Sequence, residues 1–144
     1  MTLQTGVNFQ EYFRCYVVDQ KQVHVMRYDP GQPHHLRYVP GNPPPAAALH
    51  DRIVRDCLTL CRALGYDLNT VEFAVEDGIP YAIDFLNPAP DAALESVGAD
   101  NFRWIVDAVS QMAVARAQQP RGSSLPYNWP KYVARQNVKV QGKD

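Results

Sequence analysis

Glu72 and Asp84 stand on either side of a turn at Asp77-Gly78, in a segment that alternates apolar and polar residues from Thr70 to Asn87. Such alternation reads as a β-hairpin. Two carboxylates brought to about 5 Å repel by about 3 kcal/mol at an effective dielectric near 20. A divalent cation between them reverses that cost. Asn87 follows at the end of the second strand and adds a neutral amide oxygen. Two carboxylates and an amide are hard oxygen donors, the set that suits Mg²⁺ or Mn²⁺. Acids on the wet face of a half-solvated hairpin are also commonplace, and spacing alone leaves that reading open.

The register decides which acids meet. A two-residue turn at Asp77-Gly78 pairs Glu76 with Ile79 and Val71 with Asp84. A three-residue loop, Glu76-Asp77-Gly78, pairs Val75 with Ile79, Phe73 with Tyr81 and Val71 with Ile83. The second makes one face wholly apolar, so the hydrophobic pattern selects it. Asp84 then faces Thr70, with Glu72 as its diagonal neighbour. Ala74 and Ala82 leave room above the sheet. In a regular strand Asn87 points away from Asp84, so joining the two acids requires an irregularity at Leu86.

Other elements must position this hairpin. Tyr12 to Gln20 and Val23 to Tyr28 read as two further strands of a hairpin. Asp29 to Pro45 holds six prolines and the pair His34-His35 and reads as a long loop, either functional or mobile. Ala46 to Leu64 forms an amphipathic helix on the stripe Leu49, Ile53, Cys57, Leu60 and Leu64, with Gly65 as its C-terminal cap. Asn87 to Ala99 reads as loop. A second helix runs from Asn101 to about Gln118, capped by Asp100 and ended by Pro120. The order ββα-ββα predicts an α+β fold, an antiparallel sheet with helices packed on one face. Residues 1–120 form the domain and residues 121–144 an irregular tail, frayed at its end.

Composition narrows the partners. A net charge of −1 offers no basic surface for nucleic acid, and no apolar run is long enough to cross a membrane. The first residues lack the basic and apolar regions of a signal peptide, so a cytoplasmic location is expected. Three cysteines without metal-type spacing argue against disulfides and zinc; Cys57 and Cys61 read as small buried hydrophobes. His24, His34 and His35 are a weaker transition-metal candidate.

Val71-Glu72-Phe73, the turn, and Tyr81-Ala82-Ile83-Asp84-Phe85-Leu86-Asn87-Pro88 together resemble the metal-binding hairpin of ATP-grasp enzymes. The resemblance is to the C-terminal half of that domain, in the glutathione synthetase and D-alanine ligase-like group. Leu64-Gly65-Tyr66 before the hairpin fits the layout. So does Phe13-Arg14-Cys15-Tyr16-Val17-Val18, which resembles the family's arginine-bearing strand. The resemblance covers roughly residues 10–118. It implies that Glu72, Asp84 and Asn87 bind Mg²⁺ ions bridging ATP phosphates. It implies that Arg14 faces phosphate or an acyl phosphate as a catalytic and nucleotide-binding residue. It further implies an ATP-dependent carboxylate–amine or carboxylate–thiol ligase with an unknown carboxylate substrate.

The chain departs from the pattern. Asp84 stands where glutamate is usual, Asn87 lies one residue further on, and Thr70 replaces a frequent arginine. A Gly-rich phosphate lid with its lysine is not found. The chain alone is therefore expected to be inactive, completed by a missing N-terminal half or by a homodimer partner. A non-catalytic interaction module that keeps the fold is the alternative.

Overall fold

The computed structural model describes residues 5–118. Four strands form one antiparallel sheet in the order β2-β1-β3-β4. They are β1 (Glu11–Val18), β2 (Gln22–Arg27), β3 (Leu68–Glu76) and β4 (Ile79–Asn87). The helices are α1 (Ala47–Leu64), α2 (Leu94–Val97) and α3 (Ala99–Ala117). The α+β class and the ββα-ββα order are as the sequence predicts. The expected tail, residues 121–144, lies outside the described residues.

Strand alternation splits the core in two. Phe13, Cys15 and Val17 of β1 join Val71, Phe73 and Val75 of β3 on one face. Ile53, Cys57 and Cys61 of α1 close that face. All three cysteines are buried and unbridged, as expected of small hydrophobes. Tyr16 and Met26 point the other way and meet Val97 and Ile105 from α2 and α3. Helices therefore cover both faces, where the sequence reading put them on one. The reason is β1: Tyr16, Val17 and Val18 are all fully buried, so the strand is apolar on both sides.

Gly65 ends α1 in the left-handed region at φ 78°, and its N–H bonds the Cys61 carbonyl. That is the cap the sequence implies. Asp100 is no cap: Gly98 holds that position, without a side-chain hydrogen bond, and Asp100 lies in the first turn of α3. The stretch read as loop after Asn87 contains the one-turn helix α2. The long loop holds a short 3-10 turn at His34–Leu36 and returns to the sheet through a Tyr28–Tyr38 bridge.

Arg116 fastens the far end of α3 to the sheet. Its Nη2 lies 2.7 Å from both Asp19, in the β1–β2 turn, and Asp67, before β3. The Lys21 ammonium and then Arg116 hold the Asp19 carboxyl below its ordinary value of 3.8. A carboxyl whose folded pKa is depressed stabilises the fold above its unfolded pKa. That contribution disappears as the pH falls through the lower folded value. Asp19→Asn is therefore expected to flatten the fall in Tm between about pH 5 and pH 2. Melting curves across that range check it, and an unchanged acid slope refutes it.

Candidate metal and phosphate site

The turn between β3 and β4 is the two-residue form. Asp77 and Gly78 have φ of 52° and 75°, both positive, as a type I′ turn requires. Glu76 pairs with Ile79, Val75 with Pro80, Ala74 with Tyr81 and Phe73 with Ala82. This corrects the three-residue loop. Ile79 and Tyr81 share the Glu72 face instead of the core face.

Two register shifts then follow. Glu72 pairs with Asp84, so one extra residue, Ile83, is accommodated on β4. Thr70 pairs with Asn87, so a second extra residue follows Asp84. Residues directly opposite across strands point to the same face, and so do residues two apart on one strand. Thr70, Glu72, Asp84 and Asn87 therefore share one face. Asp84 lies opposite Glu72 itself, where the sequence register set it opposite Thr70. Both extra residues matter: the first restores Asp84 to this face after the two-residue turn, and the second brings Asn87 back to it.

Arg14 extends the row, since it pairs with Glu72 across β1 and β3. Its Nε lies 3.4 Å from Glu72 Oε1. The contact is an ion pair without hydrogen-bond geometry, and Arg14 Nε has no hydrogen-bond partner among the described residues. The arginine is only 8% exposed. Burial opposes its charge, but Tyr38, Glu72, Tyr28 and Tyr16 outweigh that and raise its pKa. The Tyr28 ring lies 5.5 Å from the guanidinium carbon, within cation–π range. Arg14 is thus a fixed, fully charged group beside the acids.

Tyr12 is the residue that the sequence reading passed over. Its hydroxyl donates to Glu72 Oε2 at 2.6 Å. Burial first, and then this bond to an anion, push the Tyr12 phenol well up from its ordinary value. Tyr12 sits two residues before Arg14 on the same strand face, and that spacing was its one visible signal. Glu72 is therefore gripped at both oxygens, whereas Asp84 is exposed and free to adjust.

Loops close the β1 side of this face. The Tyr16 hydroxyl donates to the Asp91 carbonyl after β4. Asp91 approaches His34 at 3.5 Å. Tyr38 comes from the long loop, and burial pushes its phenol up to about 12. Its hydroxyl has no hydrogen-bond partner among the described residues. A cavity of about 530 Å³ opens beside Tyr38, lined also by His24, Asn101 and Trp104. His24 stacks on Trp104 at 4.7 Å and bonds Asn101, which accounts for its ring structurally. Among the described residues no three His, Cys, Asp or Glu side chains group to hold a metal, so the histidine candidate has no geometric support. The acid pair is a different kind of set: two carboxylates and one amide, all oxygen, beside one buried cation. That set fits a hard divalent ion with phosphate attached.

No protein-family model and no curated protein matches the sequence. Solved structures do. The chain is similar to D-alanine–D-alanine ligase from Bacillus anthracis complexed with ATP, with a TM-score of 0.56 and 21% identity over 77% of this chain. A second structure of that ligase matches with a TM-score of 0.53 and 19% identity over 76% of this chain. The matches span 39% and 42% of the ligase chains. No described helix is long and apolar enough to cross a membrane. The described residues carry the fold of part of an ATP-grasp domain.

Proposed function

We propose that this chain is the metal- and phosphate-binding end of an ATP-dependent carboxylate–amine or carboxylate–thiol ligase. One observation carries the reading: the double bulge of β4 sets Glu72, Asp84 and Asn87 on one face beside Arg14. Bulges recur at sheet edges and next to active sites, where they re-aim side chains. Mg²⁺ (or Mn²⁺) is the cofactor that these donors suit, with ATP as its phosphate partner. Glu72, Asp84 and Asn87 would hold the metal.

Bound Mg-ATP supplies the phosphoryl group that activates a carboxylate. The chain's own residues prepare the place. Arg14 offers a fixed positive fork to phosphate oxygens or to an acyl phosphate. Tyr12 keeps the Glu72 carboxylate aimed. The cavity beside Tyr38 falls in the size range of small-molecule sites and gives room for the carboxylate substrate. Such chemistry belongs in the cytoplasm, where ATP is plentiful.

Isothermal titration with Mg-ATP tests the reading. Binding is expected, with Arg14→Ala weakening it about tenfold or more through loss of a charge-assisted contact. Absence of binding to the chain and to its complex with an N-terminal ATP-grasp half refutes it. The chain alone is expected to show no ligase turnover, because it matches about two-fifths of the ligase fold.

A second reading has its own observation. Ile79, Tyr81, Ile83 and Leu86 are exposed along β4, from 37% to 58%. Such a stripe suits a missing half or a second copy, and an interaction module that keeps the fold would use it without nucleotide.

A further inference from the structure

Asn69 is buried to 0% exposure inside β3. Asparagine is uncommon in strand interiors, and a buried amide costs stability unless both of its ends are bonded. Here both are. Asn69 Nδ2 donates to the Phe85 carbonyl at 2.8 Å. Asn69 Oδ1 accepts from the Asn87 N–H at 2.9 Å. Those two backbone groups flank Leu86. They are the groups that an extra residue in β4 pulls out of the ladder.

The carboxamide thus stands in for a peptide unit. It closes the strand around a looped-out residue, and Leu86 is correspondingly 58% exposed. The bulge it holds is the second of the two, the one that brings Asn87 opposite Thr70. Asn69 itself lies on the opposite face, beside Cys61 of α1, with Nδ2 3.6 Å from Sγ.

We infer that Asn69 is a positioning residue for the metal site: from behind the sheet it locks the Leu86 bulge and so turns Asn87 toward Glu72 and Asp84. The inference rests on the proposed metal site. Aspartate at this position keeps the acceptor but loses the donor to Phe85. Valine loses both while suiting a buried strand.

The test uses Mn²⁺ as probe, read by paramagnetic broadening of amide resonances near Asp84 in the ¹⁵N-labelled chain. The wild type is expected to bind saturably. Asn69→Val is expected to bind about tenfold more weakly or worse, the usual scale for residues that orient metal ligands. The decisive variant is Asn69→Val with Leu86 deleted. It restores acid-x-Asn spacing to a regular strand, where Asp84 and the asparagine share a face without help. Recovery of affinity supports the positioning role, because a merely stabilising residue would not be rescued by a deletion. Unchanged affinity in Asn69→Val overturns the inference while leaving the metal site standing, and so does failed rescue in a folded double variant. Absence of Mn²⁺ binding in the wild type refutes the metal site and the inference together. Should Asn69→Val not fold, amide exchange in the wild type decides: a protected Asn87 N–H is expected, and fast exchange overturns the bond.

Discussion

Glu72→Ala and Asp84→Ala are expected to weaken metal binding alike and to affect the ligand-free fold very differently. A carboxylate facing a divalent ion at a partly wet surface contributes about 3 kcal/mol or more at an effective dielectric near 20. Losing either one therefore weakens Mg-ATP binding about a hundredfold. Stability separates them. Glu72 is the carboxylate partner of buried Arg14 and the acceptor of the Tyr12 hydroxyl. Its removal leaves a buried cation and a half-buried phenol without their anion, at a cost of about 3 kcal/mol. Asp84 is exposed, and its side-chain bond is a long one, 3.4 Å from the Leu86 N–H. Removing it also removes a like charge opposite Glu72. The change in stability is expected within about 0.5 kcal/mol of zero. Urea unfolding and calorimetric titration on the same two variants give both readouts. Equal destabilisation, or binding that survives either substitution, contradicts the site.

The second large effect lies beneath that face. Phe73→Ala is expected to cost about 3–5 kcal/mol, the usual range for emptying a buried aromatic position. Phe73 is 1% exposed and packs in the cluster that α1 closes. Against a total stability of about 5–15 kcal/mol, that leaves the chain near its unfolding threshold. Ile83→Ala serves as the control. Ile83 is the residue displaced by the first bulge and is 37% exposed, so its truncation costs less than about 1 kcal/mol. In the three-residue register Ile83 would face Val71 in the core, and its loss would approach that of Phe73. The ratio of the two urea midpoints therefore reports the register directly.

That register marks where sequence reasoning stopped. α1 was legible almost to the residue, because its stripe and Gly65 agree with one another. The four strands were legible from their β-branched and aromatic content. The bulges were not. Alternation counts residues as if every one advances the ladder, and it chose the three-residue loop to keep Val71, Phe73 and Val75 opposite Ile83, Tyr81 and Ile79. The chain instead takes the tight Asp77-Gly78 turn, whose two positive φ values match strand twist, and recovers the acid pairing further along by displacing Ile83. The need for an irregularity at Leu86 could be stated beforehand from the spacing of Asp84 and Asn87. What produces it could not, because Asn69 acts across the sheet from a position that looks like one more strand residue. The apolar content of β1 on both sides was also in plain view. It implied two covered faces, and the coarse ββα-ββα order obscured it.

The irregular β4 has a bearing on the chain's solubility. Among the described strands it is an edge strand, and an edge that is straight and apolar recruits strands from other molecules into mixed sheets. Ile79, Tyr81, Ile83 and Leu86 provide the apolar side chains for such recruitment. The two displaced residues remove the straightness: no regular incoming strand can match a donor–acceptor row that shifts twice within one strand. The same two kinks that gather the acids thus guard the edge against fibre-like stacking, and a chain regularised to bind metal without Asn69 would give up that guard.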